Sequence, residues 1–269
     1  MLRSTKDLEH YEIDAPDGDL GHIKDFYFDD DAWVVRYLVL DTGSWLSGRR
    51  VLISPISIRE PDTISRKLRL SITKEQVSNS PDIDTDRPVS RQSEGLYLGY
   101  YGYAGYWGGL GMWGNGLYPY TMSPGYLDMT LPRQRDSEEQ AYRSAQRERR
   151  LNEDPHLRSC KEVVGYHLHA SDGEIGHVTD FLMDDETWAI RYLVVDTSNW
   201  WIGHKVLIAT SWLEDVSWGA QTVSVNLSRE SVKAAPTYQP ADGLSLEREV
   251  ELYKHYDRTW YGTGMGMSA

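Results

Sequence analysis

His22 and Asp25 lie three residues apart, and His177 and Asp180 repeat the pair 155 positions later. An imidazole that titrates near neutrality beside a carboxylate is the least that proton transfer requires, or half of a metal site. Acting on a substrate takes more: a nucleophile, a ligand cluster or a phosphate-binding loop, none of which the sequence supplies around them. The favoured expectation is structural, a strand histidine beside a turn or bulge carboxylate. His167 and His169 share one strand face, but Glu12 and Asp14 stand at the equivalent places, so that pair is not built into the repeated unit. The acidic runs at 29–31 and 184–186 offer oxygen ligands for Ca²⁺. They lack the alternating spacing and distal glutamate of a loop that wraps the ion, and read as solvated turns. Arg36 and Arg191 sit in apolar strands near Asp41 and Asp196, where each needs an ionic partner. No catalytic residue, metal or cofactor is expected.

Binding is the other chemistry to look for. Trp45 lies in DTGSWLSG, and Trp200 and Trp201 lie in DTSNWWIG. An aromatic side chain on a loop held by a rigid scaffold is a typical contact anchor. These three tryptophans are the candidate interaction residues; the competing reading is a plug over the end of a barrel. Residues 95–127 carry no charge, and about a third of them are glycine. That composition opposes a membrane-spanning helix, because glycine is helix-poor and Tyr and Trp favour the membrane interface. The stretch reads as a flexible aromatic linker, and it is the segment expected to meet a membrane surface if any part of the chain does.

What positions these residues is a duplication. GHIKDFYFDDDAWVVRYLVLDTGSWLSGRRVLIS begins at Gly21, and GHVTDFLMDDETWAIRYLVVDTSNWWIGHKVLIA begins at Gly176. Gapless matching extends from 2–101 against 157–256. Asp-Gly at 17–18 and 172–173 predicts a hairpin in each copy. Strands follow at 33–41, 51–54, 56–60 and 67–72, with counterparts in the second copy. WVVRYLVL is apolar at nearly every position, so periodicity does not say which face is inside. In the preceding strand, apolar residues at 20, 23, 26 and 28 break strict alternation and predict a β-bulge near Asp25 and Asp180. Thr73-Lys-Glu-Gln76 has the form of a capping box. A second helix is expected at 245–257, with Leu246, Val250, Tyr253 and Tyr256 on its apolar side, and a weaker one at 89–101. Residues 137–151 read as a charged spacer helix.

With that block quoted, the chain resembles tandem PRC-barrel proteins. This family is named for the cytoplasmic domain of the photosynthetic reaction-centre H subunit and includes the C-terminal domain of a ribosome maturation factor. The resemblance implies a mainly β fold of two small barrels, each trailed by short helices. The expected domains are 1–101 and 157–257, joined by a linker and spacer helix at 102–156 and followed by a tail at 258–269. It implies a non-enzymatic interaction or scaffold role with an unidentified protein partner and an intramolecular pairing of the barrels. The alternative it offers is an accessory role in photosynthetic light reactions, docked on a membrane complex. The H subunit carries an N-terminal transmembrane helix, and MLRSTKDLEHYEID does not have that character.

Composition narrows the partners. A formal charge of −13 over 269 residues disfavours direct contact with nucleic acid. Cys160 is the one cysteine, which excludes a disulfide within the chain and fits a reducing, cytoplasmic setting. No secretory signal is recognisable at the start of the sequence.

Overall fold

The structure, a computed structural model, describes residues 1–62, 65–81, 91–107, 111–124, 126, 157–197 and 204–260. It is mainly β, with two mixed sheets of seven strands each and a few short helices. The chain runs β1 (Leu2–Ser4), α1 (Thr5–Leu8), β2 (Glu12–Ala15), β3 (Gly18–Asp29), β4 (Val34–Asp41), β5 (Arg50–Ile53), β6 (Ile58–Asp62), β7 (Lys67–Leu70), α2 (Lys74–Ser78) and α3 (Arg91–Tyr101). It continues with β8 (Leu157–Ser159), α4 (Cys160–Val163), β9 (His167–Ala170), β10 (Gly173–Asp184), β11 (Ile190–Asp196), β12 (Lys205–Ala209), β13 (Leu213–Ser217), β14 (Thr222–Val225), α5 (Arg229–Lys233) and α6 (Leu246–His255). One sheet has the order β5-β4-β3-β2-β7-β6 and the other β12-β11-β10-β9-β14-β13. The two orders are the same with every strand number raised by seven. In each, a single parallel pairing, β2 with β7 or β9 with β14, joins otherwise antiparallel neighbours.

The repeats do not keep to themselves. One compact unit comprises Met1, 5–161 and 184–189; the other comprises 2–4, 162–183 and 190–269. Each sheet takes its seventh strand from the other repeat: β8 pairs with β3, and β1 pairs with β10. Strand length explains the opening that these segments fill. β3 has 12 residues, whereas β2 has four and meets β3 only between Gly18 and His22. Beyond the bulge the backbone of Tyr27, Phe28 and Asp29 would lack a neighbour on that side, and buried backbone groups need partners. Ser159, Arg158 and Leu157 supply it.

The predicted bulge is present in both copies, as register shifts between Ile23 and Asp25 and between Val178 and Asp180. Next to it, Gly21 and Gly176 pass so close to the neighbouring strand that a Cβ would lie 2.2 Å from the carbonyl oxygen of Asp41 or Asp196. That contact is why the repeated block begins with glycine. Thr73 and Gln76 form the expected capping box. Two sequence expectations need correction. The strand placed at 56–60 starts as a 3₁₀ turn over Pro55–Ser57, capped by the Ser54 hydroxyl, and becomes extended only at Ile58. On the expected apolar side of α6, Tyr253 and the following Tyr256 are buried as anticipated, but Leu246 and Val250 are exposed, and Glu249 and Leu252 are buried in their place.

Buried Glu249 accepts the Tyr192 hydroxyl at 2.5 Å. On α3, buried Glu94 accepts the hydroxyls of Tyr37 and Tyr106. Glu94 and Glu249 occupy equivalent positions, as do Tyr37 and Tyr192, so the same polar contact docks a trailing helix in each repeat. A buried carboxylate is tolerated only when hydrogen-bonded in this way. No helix among the described residues is long and apolar enough to cross a membrane.

Candidate interaction site

The repeated His and Asp residues do not form pairs. His22 is exposed on β3, opposite Asp41 and Glu12 in the register. Asp25 turns the other way: its carboxylate accepts the Ser159 hydroxyl at 2.5 Å and the backbone N–H of Lys161 at 3.2 Å and of Phe26 at 2.7 Å. Burial raises its pKa, against the lowering effect of those donors. Asp180 likewise accepts the Ser4 hydroxyl at 2.5 Å. Each of the two bulge carboxylates therefore holds the serine of an LRS segment that comes from the other repeat. His177 is half-buried, and His167 meets Glu174 at 2.8 Å.

Asp29, Asp30 and Asp31 place carboxylate oxygens within 4.8 Å of one another. Protein cations already face them: Arg36 lies 3.3 Å from Asp29, and Arg158 lies 2.9 Å from Asp30. The ion pair expected of Arg36 forms with Asp29 on the preceding strand, and the buried guanidinium also donates to the Met112 carbonyl at 2.6 Å. It also lies 3.9 Å from the Tyr106 ring centre and 4.8 Å from that of Trp113, where the π faces stabilise the cation.

Those aromatic partners correct a second expectation. Within the segment expected to be a flexible linker, several of the described residues are packed. Tyr103, Tyr106, Trp107, Trp113 and Met122 are all buried, and Trp113 donates its indole N–H to the Thr187 carbonyl at 2.8 Å. Glycine permits the backbone to turn tightly here, as at Gly114 with φ 61°. The aromatic side chains then supply a core of their own. The spacer helix at 137–151 lies outside the described residues.

This packed insert builds one wall of an open cleft of about 920 Å³ in the first unit. Tyr101 stacks on Tyr103 with ring centres 5.4 Å apart, and Tyr118 stacks on Tyr120 at the same spacing. Pro55, Ile56 and Ile72 form an apolar floor, with Arg59, Asp185 and Glu186 at the polar margin. Burial pushes the Tyr103 phenol up to about 12 and Tyr101 higher still, so both remain neutral hydroxyls at physiological pH. Trp188 completes the lining with φ 62°, a left-handed conformation that costs a bulky residue strain. Its equivalent Trp33 has φ 53°.

Trp45, the one sequence-selected anchor within the described residues, is not part of this cleft. It is half-buried, donates its indole N–H to the Leu20 carbonyl at 3.1 Å, and lies under the Lys74 ammonium at 4.4 Å. It borders a shallower depression that also includes His22. Trp200 and Trp201 lie outside the described residues. The cleft residues Tyr118, Tyr120 and Trp188 were not selected from the sequence. The density of tyrosines between Tyr97 and Tyr126 is the available signal, and by composition alone it reads as a linker.

Residues 7–77 match the family described as PRC-barrel domain. The match covers the first repeat from α1 to α2, including β3 with its bulge. No curated protein matches the chain.

Proposed function

We propose that the chain is a non-enzymatic interaction protein built from two PRC-barrel domains, with the aromatic cleft of the first unit as its main contact surface. The observation that carries this reading is the distribution of exposed apolar side chains. Leu96, Tyr100, Leu117, Tyr120 and Tyr126 account for most of the large exposed ones among the described residues, and all belong to α3 or the insert after it. Of these, Tyr120 lines the cleft and meets Tyr126 at 5.7 Å between ring centres; exposed aromatics beside a concave surface mark contact sites, because tyrosine offers apolar area and a hydroxyl at little entropic cost. The matching strand orders of the two sheets, with the 155-residue offset, support the second repeat as a further domain of the same kind. The bulge and the parallel β2–β7 contact support closure of each sheet into a small barrel.

In this reading the partner inserts an apolar side chain between the stacked tyrosine pairs, and Arg59, Asp185 and Glu186 orient its polar groups. The test is affinity capture from native lysate with the wild-type chain and with a Tyr118→Ser, Tyr120→Ser variant. A partner held by the wild type and lost from an equally stable variant is the expected result. An unchanged set of captured proteins would reject the cleft as the contact surface.

A further inference from the structure

The opening beside each long hairpin strand has a specificity of its own. In the first unit it is filled by Leu157–Ser159, which pairs along Tyr27–Asp29. Leu157 is buried at 4% exposure, Arg158 meets Asp30 at 2.9 Å, and the Ser159 hydroxyl meets Asp25. In the second unit Leu2–Ser4 pairs with β10, and the Ser4 hydroxyl meets Asp180, itself 8% exposed. Both fillers read LRS, and each comes from the repeat that did not build the opening. The chain leaves one unit and enters the other between Ser4 and Thr5. The strand pairing and the serine–carboxylate contact are thus made by a segment of the same sequence in both units, whichever repeat donates it.

We propose that this opening is a strand-addition site for an LRS segment and that it accepts the segment from a second copy of this chain. Main-chain pairing supplies the attachment, the leucine side chain (buried in Leu157, half-buried in Leu2) an apolar anchor, and the serine hydroxyl on the bulge carboxylate the sequence selection. Exchange of identical segments between copies is a low-cost route to association, because the same contacts form in either arrangement.

The test uses the chain lacking residues 1–4, which empties the opening in the second unit. The probe is a synthetic MLRSTKDL peptide labelled at its carboxyl end and followed by fluorescence anisotropy. Saturable one-to-one binding is expected, weakened about ten-fold or more when the peptide carries Ser4→Ala. Should the shortened chain lose its thermal transition, restoration of that transition by the peptide is the equivalent supporting result. Neither binding nor restoration, or equal binding of the Ser4→Ala peptide, would overturn the proposal.

Discussion

The two repeats share a strand order but finish the outer surface of the sheet differently. In the first, Arg36 is buried at 3% exposure among Asp29, Tyr106 and Trp113, and Tyr37 reaches Glu94 from the opposite face of β4. In the second, the equivalent Arg191 is half-buried, while Tyr192 still reaches its glutamate. The inner contact is common to the copies; the outer cover belongs to the copy followed by the aromatic insert. A further exchange accompanies this. Position 57 is serine, and the first repeat packs against insert tyrosines, whereas its equivalent Trp212 packs on Tyr253 and Tyr256 at 5.0 and 4.9 Å between ring centres. One repeat fills the space beside its trailing helix from within, and the other relies on sequence outside the duplicated block.

The strongest way to break this contrast is to remove the insert's central side chain. Trp113 is fully buried, so Trp113→Ala is expected to cost about 3–5 kcal/mol from lost burial and the cavity left behind. Native-state hydrogen exchange should show lost protection in β4 and little change in β11. Equal loss in both strands would mean that the insert does not distinguish the units.

Next in size is the arginine pair. Arg36→Ala leaves Asp29 buried without its ion partner and the Met112 carbonyl without its donor, which is expected to cost about 3–5 kcal/mol at the upper limit. Arg191→Ala should cost about 1 kcal/mol or less, as for other partly solvated cations. Urea unfolding of the two variants measures the difference, and equal costs would remove the distinction between a buried and a half-buried arginine.

These contrasts also mark what the sequence could say. The hairpin at Asp17-Gly18, the bulge at Asp25 and the capping box at Thr73 are local: a few neighbouring residues determine each, and all were legible. The partner of Arg36 was not, because Asp29 lies across a turn that reverses the chain, and Tyr106 and Trp113 come from outside the repeated block. WVVRYLVL was ambiguous for a related reason. Both its faces are covered, one by a helix more than 50 residues away in sequence, so no alternation survives to be read. The duplicated LRS was visible as part of the repeat, but its exchange was not, since a strand's sequence does not encode which copy of a matching edge it joins. The cleft was hidden by composition: glycine between tyrosines suits a flexible linker and a tightly turned aromatic wall equally well.

A smaller effect tests the contact that the copies share. Tyr37→Phe and Tyr192→Phe each delete one hydroxyl donor to a buried glutamate and should each cost about 1.5–3 kcal/mol. Glu94 keeps the Tyr106 hydroxyl when Tyr37 is changed, so the first variant belongs at the lower end of that range. Chemical denaturation of both, followed against Tyr106→Phe, tests whether the insert reinforces the helix contact. If Tyr106→Phe costs nothing, the reinforcement is absent.

The smallest effect is one of pH and concerns the opening that receives Ser159. Burial raises the Asp25 pKa above 3.8 in the folded chain. A carboxyl group whose folded pKa is raised contributes stability in its protonated form, fully present below the unfolded value and lost as pH rises through the folded one. Asp25→Asn removes that titration while keeping the contacts, because an amide oxygen can still accept the N–H of Phe26 and Lys161 and the amide nitrogen can donate to the Ser159 hydroxyl. The stability of the variant minus that of the wild type should therefore increase as pH rises from about 4 through the folded pKa, and then level off. Thermal unfolding of both chains across that range measures the difference. A difference that falls with rising pH would mean that the donors around Asp25 outweigh its burial and that the ionised carboxylate stabilises the captured strand.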